Sequence, residues 1–444
     1  MSNNAELPAR WVERARAAGA DEAEVLVNES THLSCTVRQG AIESLTEATS
    51  RSLHLRVFSS HRVARASSSD LRESTLETLV RGGVERARLA SPDDCAGLPE
   101  EAAAPPPADA LGLFDPVAAA LSADEALALA RETERIGLSL DPRVANSGGA
   151  GFHRGRGQVW LANSRGFEGS YRATSLSLSL YMLGASSGNE QVADYWYSTT
   201  RTRAGLEPPE AIARTTVERV QRHFGARKVE TQEAPVVFEP LAAAELLSDL
   251  FGAVTGEAIH LRRSFLVGAL GERVAAEGVT IVDDGLLPGG LGSRPFDREG
   301  VPAQRTPVFE NGVLRNYLCG AYSARRLRCQ STGNGAGNGE APTNFYLVAG
   351  PHAPEAIRGS LARGLYVTRL LGQGVNLVTG DYSRGAFGLW IENGRVVHPV
   401  HEITISGNLR AMLAGMEMVG SDLDFRDQFA APTVKIAAMT VAGT

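Results

Sequence analysis

The run Ser175-Leu176-Ser177-Leu178-Ser179-Leu180 constrains the fold of this chain more tightly than any other stretch. Successive side chains of a β-strand point to opposite faces, so this alternation sends the leucines into a core and the serines toward water. Burial on one face only is a property of antiparallel sheets; parallel sheets are covered on both sides. Asn163-Ser164-Arg165-Gly166 supplies a turn upstream, so residues 158–183 are expected to form a hairpin.

Around that hairpin the first half alternates helices and strands. Leu7, Trp11, Val12 and Ala15 recur at helical spacing and predict a helix over 6–18, while Leu76, Leu79, Val80 and Val84 predict another over 71–90. Between them "AEVLVN" (23–28) and "HLSCTVR" (32–38) read as strands separated by a polar turn, with a third strand at 52–58. The proline-rich segment 97–112 reads as a loop, 121–136 as a helix, and 209–223 as a helix entered at Pro208-Pro209. Basic "GARKVE" (225–230) marks the expected boundary between an N-terminal domain, 1–225, and a C-terminal domain, 226–444.

The second half opens with a strand at 235–240 and a helix over 241–258, then turns to short strands. Two hairpins, 308–318 and 389–400, carry Asn311-Gly312 and Asn393-Gly394, the pairs that accept the positive φ of type I′ turns. "VNLVTG" (375–380) and "HEITISG" (401–407) add strands. The fold class is therefore α+β in two domains. The first has strands packed with helices; the second is a mostly antiparallel, barrel-like β body with a few helices.

At 444 residues, 43% hydrophobic and 21% charged, the chain reads as globular. A net charge of −7 gives no footprint for direct nucleic-acid binding. Arg262, Arg263, Arg325, Arg326 and Arg328 cluster in two places and are read as solvated surface. No stretch approaches the ~20 apolar residues of a membrane span, and the charged N-terminus is not expected to be a secretory signal. Cys35, Cys95, Cys319 and Cys329 lack metal-binding spacing and fit a reducing, cytoplasmic setting.

Glu257 and His260 have the mutual spacing found in a zinc-peptidase HExxH motif, but Gly256 stands where its first histidine belongs. A peptidase zinc needs three protein ligands and an open water position, so the pair alone reads as a coincidence of a helix surface. "STGNGAGNGE" (331–340) lacks the Lys-Ser/Thr of a phosphate loop and reads as a flexible surface loop. Asp283-Asp284 reads as a turn with a local acceptor. "GDYSRGA" (380–386) reads as a turn that is structural or functional with equal weight.

Long gap-free blocks resemble one family: 367–409, "FDREGVPAQRTPVFENGVLRNYLCGAYSARRL" (296–327), "STGN" (331–334) and "MVGSDLDF" (418–425), with "GADEAEVLVNES" and "SPDD" more loosely. The chain resembles the TldE/PmbA branch of the TldD/PmbA superfamily, whose sister branch TldD carries a zinc motif HExxxH. The resemblance aligns that motif with "FGAVTG", so its two histidines and glutamate fall on Phe251, Gly256 and Gly252. The cysteine ligand that the family's catalytic member supplies near its C-terminus is missing too. The resemblance implies a subunit with no catalytic or metal residue of its own. It would pair with a TldD-like subunit that holds the zinc and, in its absence, associate with itself. The implied substrates are unfolded peptides, captured by strand addition. Asp381, Tyr382 and Arg384 are the expected contacts with peptide or partner, Tyr382 offering its ring and Arg384 gripping a carboxylate. The competing expectation is a regulatory binding protein of the DNA gyrase modulator type.

Overall fold

The computed structural model describes residues 5–100, 104–185 and 191–443; residues 101–103 of the proline-rich segment lie outside that description. The N-terminal half is one six-stranded antiparallel sheet in the order β3-β2-β1-β4-β5-β6. Its strands are β1 (Glu22–Arg38), β2 (Ala41–Ser59), β3 (Arg62–Ser68), β4 (Asn146–Asn163), β5 (Glu168–Ala185) and β6 (Gln191–Thr200). The leucines of the alternating run are fully buried on β5, as their period requires.

β1 is a single strand where the sequence suggested two strands and a turn. Residues 28–31 are paired with β2 on one side and β4 on the other. A strand flanked on both sides satisfies its backbone without regard to side-chain polarity, and the polar residues find cross-strand partners, Ser30 with Ser50 at 2.8 Å and Thr31 with Thr49 at 3.1 Å.

Helices cover one face of this sheet. α1 (Leu7–Ala17) and α2 (Glu73–Leu89) bury Trp11, Val12, Leu76 and Val80 against Val25 and Val27 of β1. α3 (Pro116–Ala120), α4 (Ala123–Leu140) and α5 (Pro209–Gln221) cover Leu33, Cys35 and Val37, which have the same odd parity and so share that face. The even positions of β1 look the other way, where Leu26 packs with Leu161 and with Phe296 of the C-terminal half.

Five strands of the C-terminal half close into a barrel: β7 (Gln232–Phe238), β12 (Arg363–Leu371), β14 (Asp381–Glu392), β15 (Arg395–Asn408) and β18 (Val434–Ala442). Each pairs with the next, and β18 returns to β7. A smaller sheet of β8 (Ile281–Asp284), β9 (Arg305–Glu310), β10 (Val313–Leu314), β11 (Phe345–Leu347) and β17 (Phe429–Ala430) lies alongside. The short strands β13 (Val375–Asn376) and β16 (Met416–Val419) pair with β14 and β18. Asn311, Gly312, Asn393 and Gly394 all have positive φ, so both Asn-Gly turns form as the pairs require.

Four local expectations are corrected. Only Val375–Asn376 of 375–380 is strand. The helix expected over 241–258 is two, α6 (Pro240–Val254) and α7 (Gly256–His260), because Thr255 is extended and its hydroxyl caps Ala258 N–H. Asn334 is fully buried and donates to Asp283 Oδ2 at 2.7 Å, so 331–340 is anchored at its start and is not a free loop. The arginines of α8 (Ala321–Leu327) are engaged as well: Arg325 donates to the carbonyls of Cys95, Gly97 and Leu98, and Arg326 pairs with Asp93 at 2.7 Å. Among the described residues no helix is long and apolar enough to cross a membrane.

Candidate functional site

Phe251, Gly252 and Gly256, which the resemblance aligns with the zinc motif, lie where α6 ends and α7 begins. α6 packs against β7 and β12 of the barrel and β11 and β17 of the smaller sheet. At position 251 the phenylalanine ring meets Phe345 edge-on at 5.6 Å and Phe429 at 6.0 Å, part of the core shared by both sheets. At Gly252 an added Cβ would stand 2.8 Å from Leu377, and at Gly256 one would stand 2.7 Å from Cys319 Sγ and 2.6 Å from Ser323 Oγ. Apolar carbon, the Cys319 thiol and the Ser323 hydroxyl thus occupy the space around the three positions. None of the three side chains has a lone pair to give a metal, and Thr255 puts positions 251 and 256 on different helices. Among the described residues no group of three His, Cys, Asp or Glu side chains is arranged to hold a metal ion. The residues present do not fit a zinc site of the HExxxH kind.

Glu257 and His260 sit beyond the break, on α7. His260 stacks edge-on against Tyr322 at 5.7 Å, and both residues line a cavity of about 330 Å³ against the 93–97 segment.

The face of α6 over the turns before Phe251 opens onto a cavity of about 470 Å³ between the two halves of the chain, larger than the first. Leu241, Glu245 and Ser248 of α6 form one wall, Tyr195, Trp196 and Tyr197 of β6 another, and Asp422, Asp424 and Asp427 the rim. β6 is an edge strand, but its free carbonyls are partly taken: Arg426 donates to Tyr197 O at 2.7 Å and Arg369 to Ala193 O at 3.0 Å. Arg426 also lies 4.2 Å from the Trp196 ring centre and pairs with Glu207 and Asp424. Burial, with Asp427 next in effect, pushes the Tyr197 hydroxyl up to about 12, so the aromatic wall stays neutral.

The structure separates the three residues of "GDYSRGA". The segment is the start of β14 and not a turn, since Asp381–Ala386 pairs with β15 along its length. Asp381 is exposed and accepts from Thr379 Oγ1 at 2.6 Å and Asn408 Nδ2 at 3.3 Å. Tyr382 is 1% exposed and belongs to the barrel core, because its period-2 position faces inward; it offers no ring to a ligand. Arg384 does grip carboxylates, but those of α6: Glu245 Oε2 at 2.8 Å and Asp249 Oδ2 at 3.2 Å. Burial raises both carboxyls, and Arg384 offsets part of that rise. Through Glu245, Arg384 reaches the wall of the larger cavity. Sequence reasoning missed Glu245 and Asp249. The signal was present, for two acids four residues apart inside an apolar helix need a cation opposite.

Comparison with known proteins assigns the architecture. Three consecutive segments match the PmbA/TldA metallopeptidase profiles: domain 1 over residues 23–87, the central domain over 117–224 and the C-terminal domain over 231–443. The chain belongs to the PmbA/TldD metallopeptidase family. It is 35% identical to the metalloprotease PmbA of Escherichia coli O157:H7 over 425 residues, 96% of this chain and 93% of that one. Its fold superposes with a TM-score of 0.91 on a Bacteroides thetaiotaomicron protein described as a candidate modulator of DNA gyrase, at 26% identity and with all of both chains covered. TldE of Thermococcus kodakarensis has the same fold, with a TM-score of 0.84 at 23% identity over 98% of this chain and 99% of that one.

Proposed function

We propose that this chain is the TldE/PmbA-type subunit of a two-chain, cytoplasmic peptidase acting on unfolded peptides. The zinc and the catalytic groups lie in a TldD-like partner. The observation that carries the reading is the filled site: Phe251, Gly252 and Gly256 stand at the motif positions and are packed by Phe345, Phe429, Leu377 and Cys319. The cavity beside them, walled by aromatics and rimmed by acids, suits an extended peptide with apolar or basic side chains. Of the three residues of β14, Arg384 serves by positioning Glu245 at that cavity, and Asp381 remains available to a partner on the surface.

Purified alone, the chain is expected to hold no stoichiometric zinc by elemental analysis and to cleave no peptide; mixed with a TldD-like chain it supports cleavage. One tightly held zinc per chain that survives mild chelation overturns the reading. Glu257→Gln and His260→Ala leave the activity of the mixture nearly unchanged. The alternative, a gyrase-directed binding protein, draws on the description of the Bacteroides neighbour; direct DNA contact is disfavoured by the net charge of −7.

A further inference from the structure

Cys319 and Cys329 flank α8, and their sulfurs lie 3.8 Å apart. The helix brings them together. It ends at Arg328 in the left-handed region, φ 55°, and Cys329 N–H then donates back to Ala324 O at 2.9 Å. Cys319 is fully buried, its N–H bound to Thr332 Oγ1 at 2.7 Å and its sulfur against Gly256, whose missing Cβ leaves it room. Cys329 is exposed. Among the described residues no third donor joins the pair to make a metal site, so two thiols stand in contact with one of them open to solvent.

We propose that Cys319 and Cys329 form a reversible intramolecular disulfide, with hydrogen peroxide as oxidant and a small thiol as reductant. Exposure fixes the order of events, since only Cys329 can meet a dissolved oxidant. Its thiolate attacks one peroxide oxygen; the S–O bond forms, the O–O bond breaks, and the other oxygen leaves as water after taking a proton. Cys319 sulfur then attacks the Cys329 sulfenic acid. The S–S bond forms, the S–O bond breaks, and the oxygen departs as a second water with the Cys319 proton. Two thiols have lost two electrons and two protons, and one peroxide has become two waters. The contact with Cys319 also pulls the Cys329 thiol down to about 7, so thiolate is present at neutral pH, while that contact and burial push Cys319 up. The bond would close a ring around α8, the helix whose Tyr322, Arg325 and Arg326 hold the 93–98 segment of the N-terminal half. This inference is independent of the subunit reading.

The test uses the full chain exposed to dilute hydrogen peroxide, digested without reduction and analysed by mass spectrometry. The expected product is one cross-link between the peptides of Cys319 and Cys329, lighter by two hydrogens and abolished by dithiothreitol, with Cys35 and Cys95 still reduced. In Cys329→Ser, a surface change that leaves the core intact, Cys319 should stay reduced at the same peroxide dose. In Cys319→Ser, Cys329 should go on to sulfinic acid. A wild-type chain in which Cys329 becomes sulfinic without any cross-link overturns the proposal, as does a cross-link that uses Cys35 or Cys95.

Discussion

Two ionic seams join the halves of this molecule, and they differ in their ratio of charges. In the first, Arg56 of β2 donates to Glu24 of β1 at 2.9 Å and to Glu299 of the C-terminal half at 2.5 Å, one guanidinium between two carboxylates. In the second, Arg219 and Arg222 converge on Glu239 at 2.7 and 2.9 Å, and Arg219 also lies 3.3 Å from Asp194. The first seam is short of positive charge. Burial, eased in part by Arg56, pushes Glu24 up to about 7, and burial together with Glu299 pushes nearby Asp297 up as well. The second seam is balanced, Arg219 and Arg222 against Glu239 and Asp194, and Arg369 acts on the neighbouring His223 as well. Burial, then Arg222, Arg219 and Arg369, push His223 down to about 3, so it is neutral at any pH where the fold is wanted. Both are largely buried, although the Arg222 side chain of the second is 25% exposed; the carboxyl of Glu24 is raised to near neutrality, and the imidazole of His223 is lowered far below it. Burial leads in both, raising a carboxyl in one and lowering an imidazole in the other, and the neighbouring charges add to or offset it.

Breaking the second seam should cost most. Arg219→Met keeps much of the side-chain volume but leaves Asp194, 1% exposed, and Glu239 with less compensation. Removing one partner of a buried ion pair costs about 3–5 kcal/mol, which urea unfolding would read directly. A loss below about 1 kcal/mol would mean that water or Arg222 replaces Arg219 and that the seam binds the halves only weakly.

The first seam should show itself as a pH dependence. Glu24 has a folded pKa of about 7 against an ordinary 4.5, so the folded chain holds this proton more tightly than the unfolded chain does. Its contribution to stability is full below about 4.5, falls as pH rises to 7, and is flat above. At about 1.4 kcal/mol per pH unit, Glu24→Gln should shrink the stability difference between pH 5 and pH 8 by roughly 2 kcal/mol. Asp297 keeps its own slope of the same sign. Equal slopes in wild type and variant would show that Arg56 keeps Glu24 ionised throughout.

Neither seam was legible in the sequence, because its partners stand on different elements; even Arg219 and Glu239, 20 residues apart, are beyond helical or strand spacing. Arg56 and Glu299 are 243 residues apart, so no periodicity or spacing links them. What could be read was local. The serine–leucine alternation gave β5, Asn-Gly gave both tight turns, and proline marked the entry to α5, because each acts within a few residues. The polar middle of β1 misled for the same reason: its partners Ser50 and Thr49 lie on β2, beyond the reach of a local pattern. Tyr382 misled because a short polar stretch between glycines looks like a turn until β15 is laid beside it. The residues around Phe251, Gly252 and Gly256, which the resemblance aligns with the zinc motif, were not legible, because Leu377 and Cys319 come from elsewhere in the chain.

The smallest effect should come from the third cluster, which has the charge ratio of the first seam but lies nearer water. Arg384 faces Glu245 and Asp249, whose side chains are 38% and 22% exposed. Solvent screens such pairs, so Arg384→Ala should cost only about 1 kcal/mol. Arg384→Lys should recover part of that, since one ammonium cannot fork to two carboxylates as a guanidinium does. The variant then separates fold from function. Without Arg384 the Glu245 carboxyl loses the charge that partly offsets its burial, so it is raised further and is no longer anchored at the wall of the cavity. If that wall handles peptide, cleavage by the complex with a TldD-like chain should fall at least tenfold while the melting temperature moves by only a few degrees. Cleavage that persists unchanged would make the cluster an element of the barrel alone, and would direct the search for the peptide's path to the aromatic face of β6.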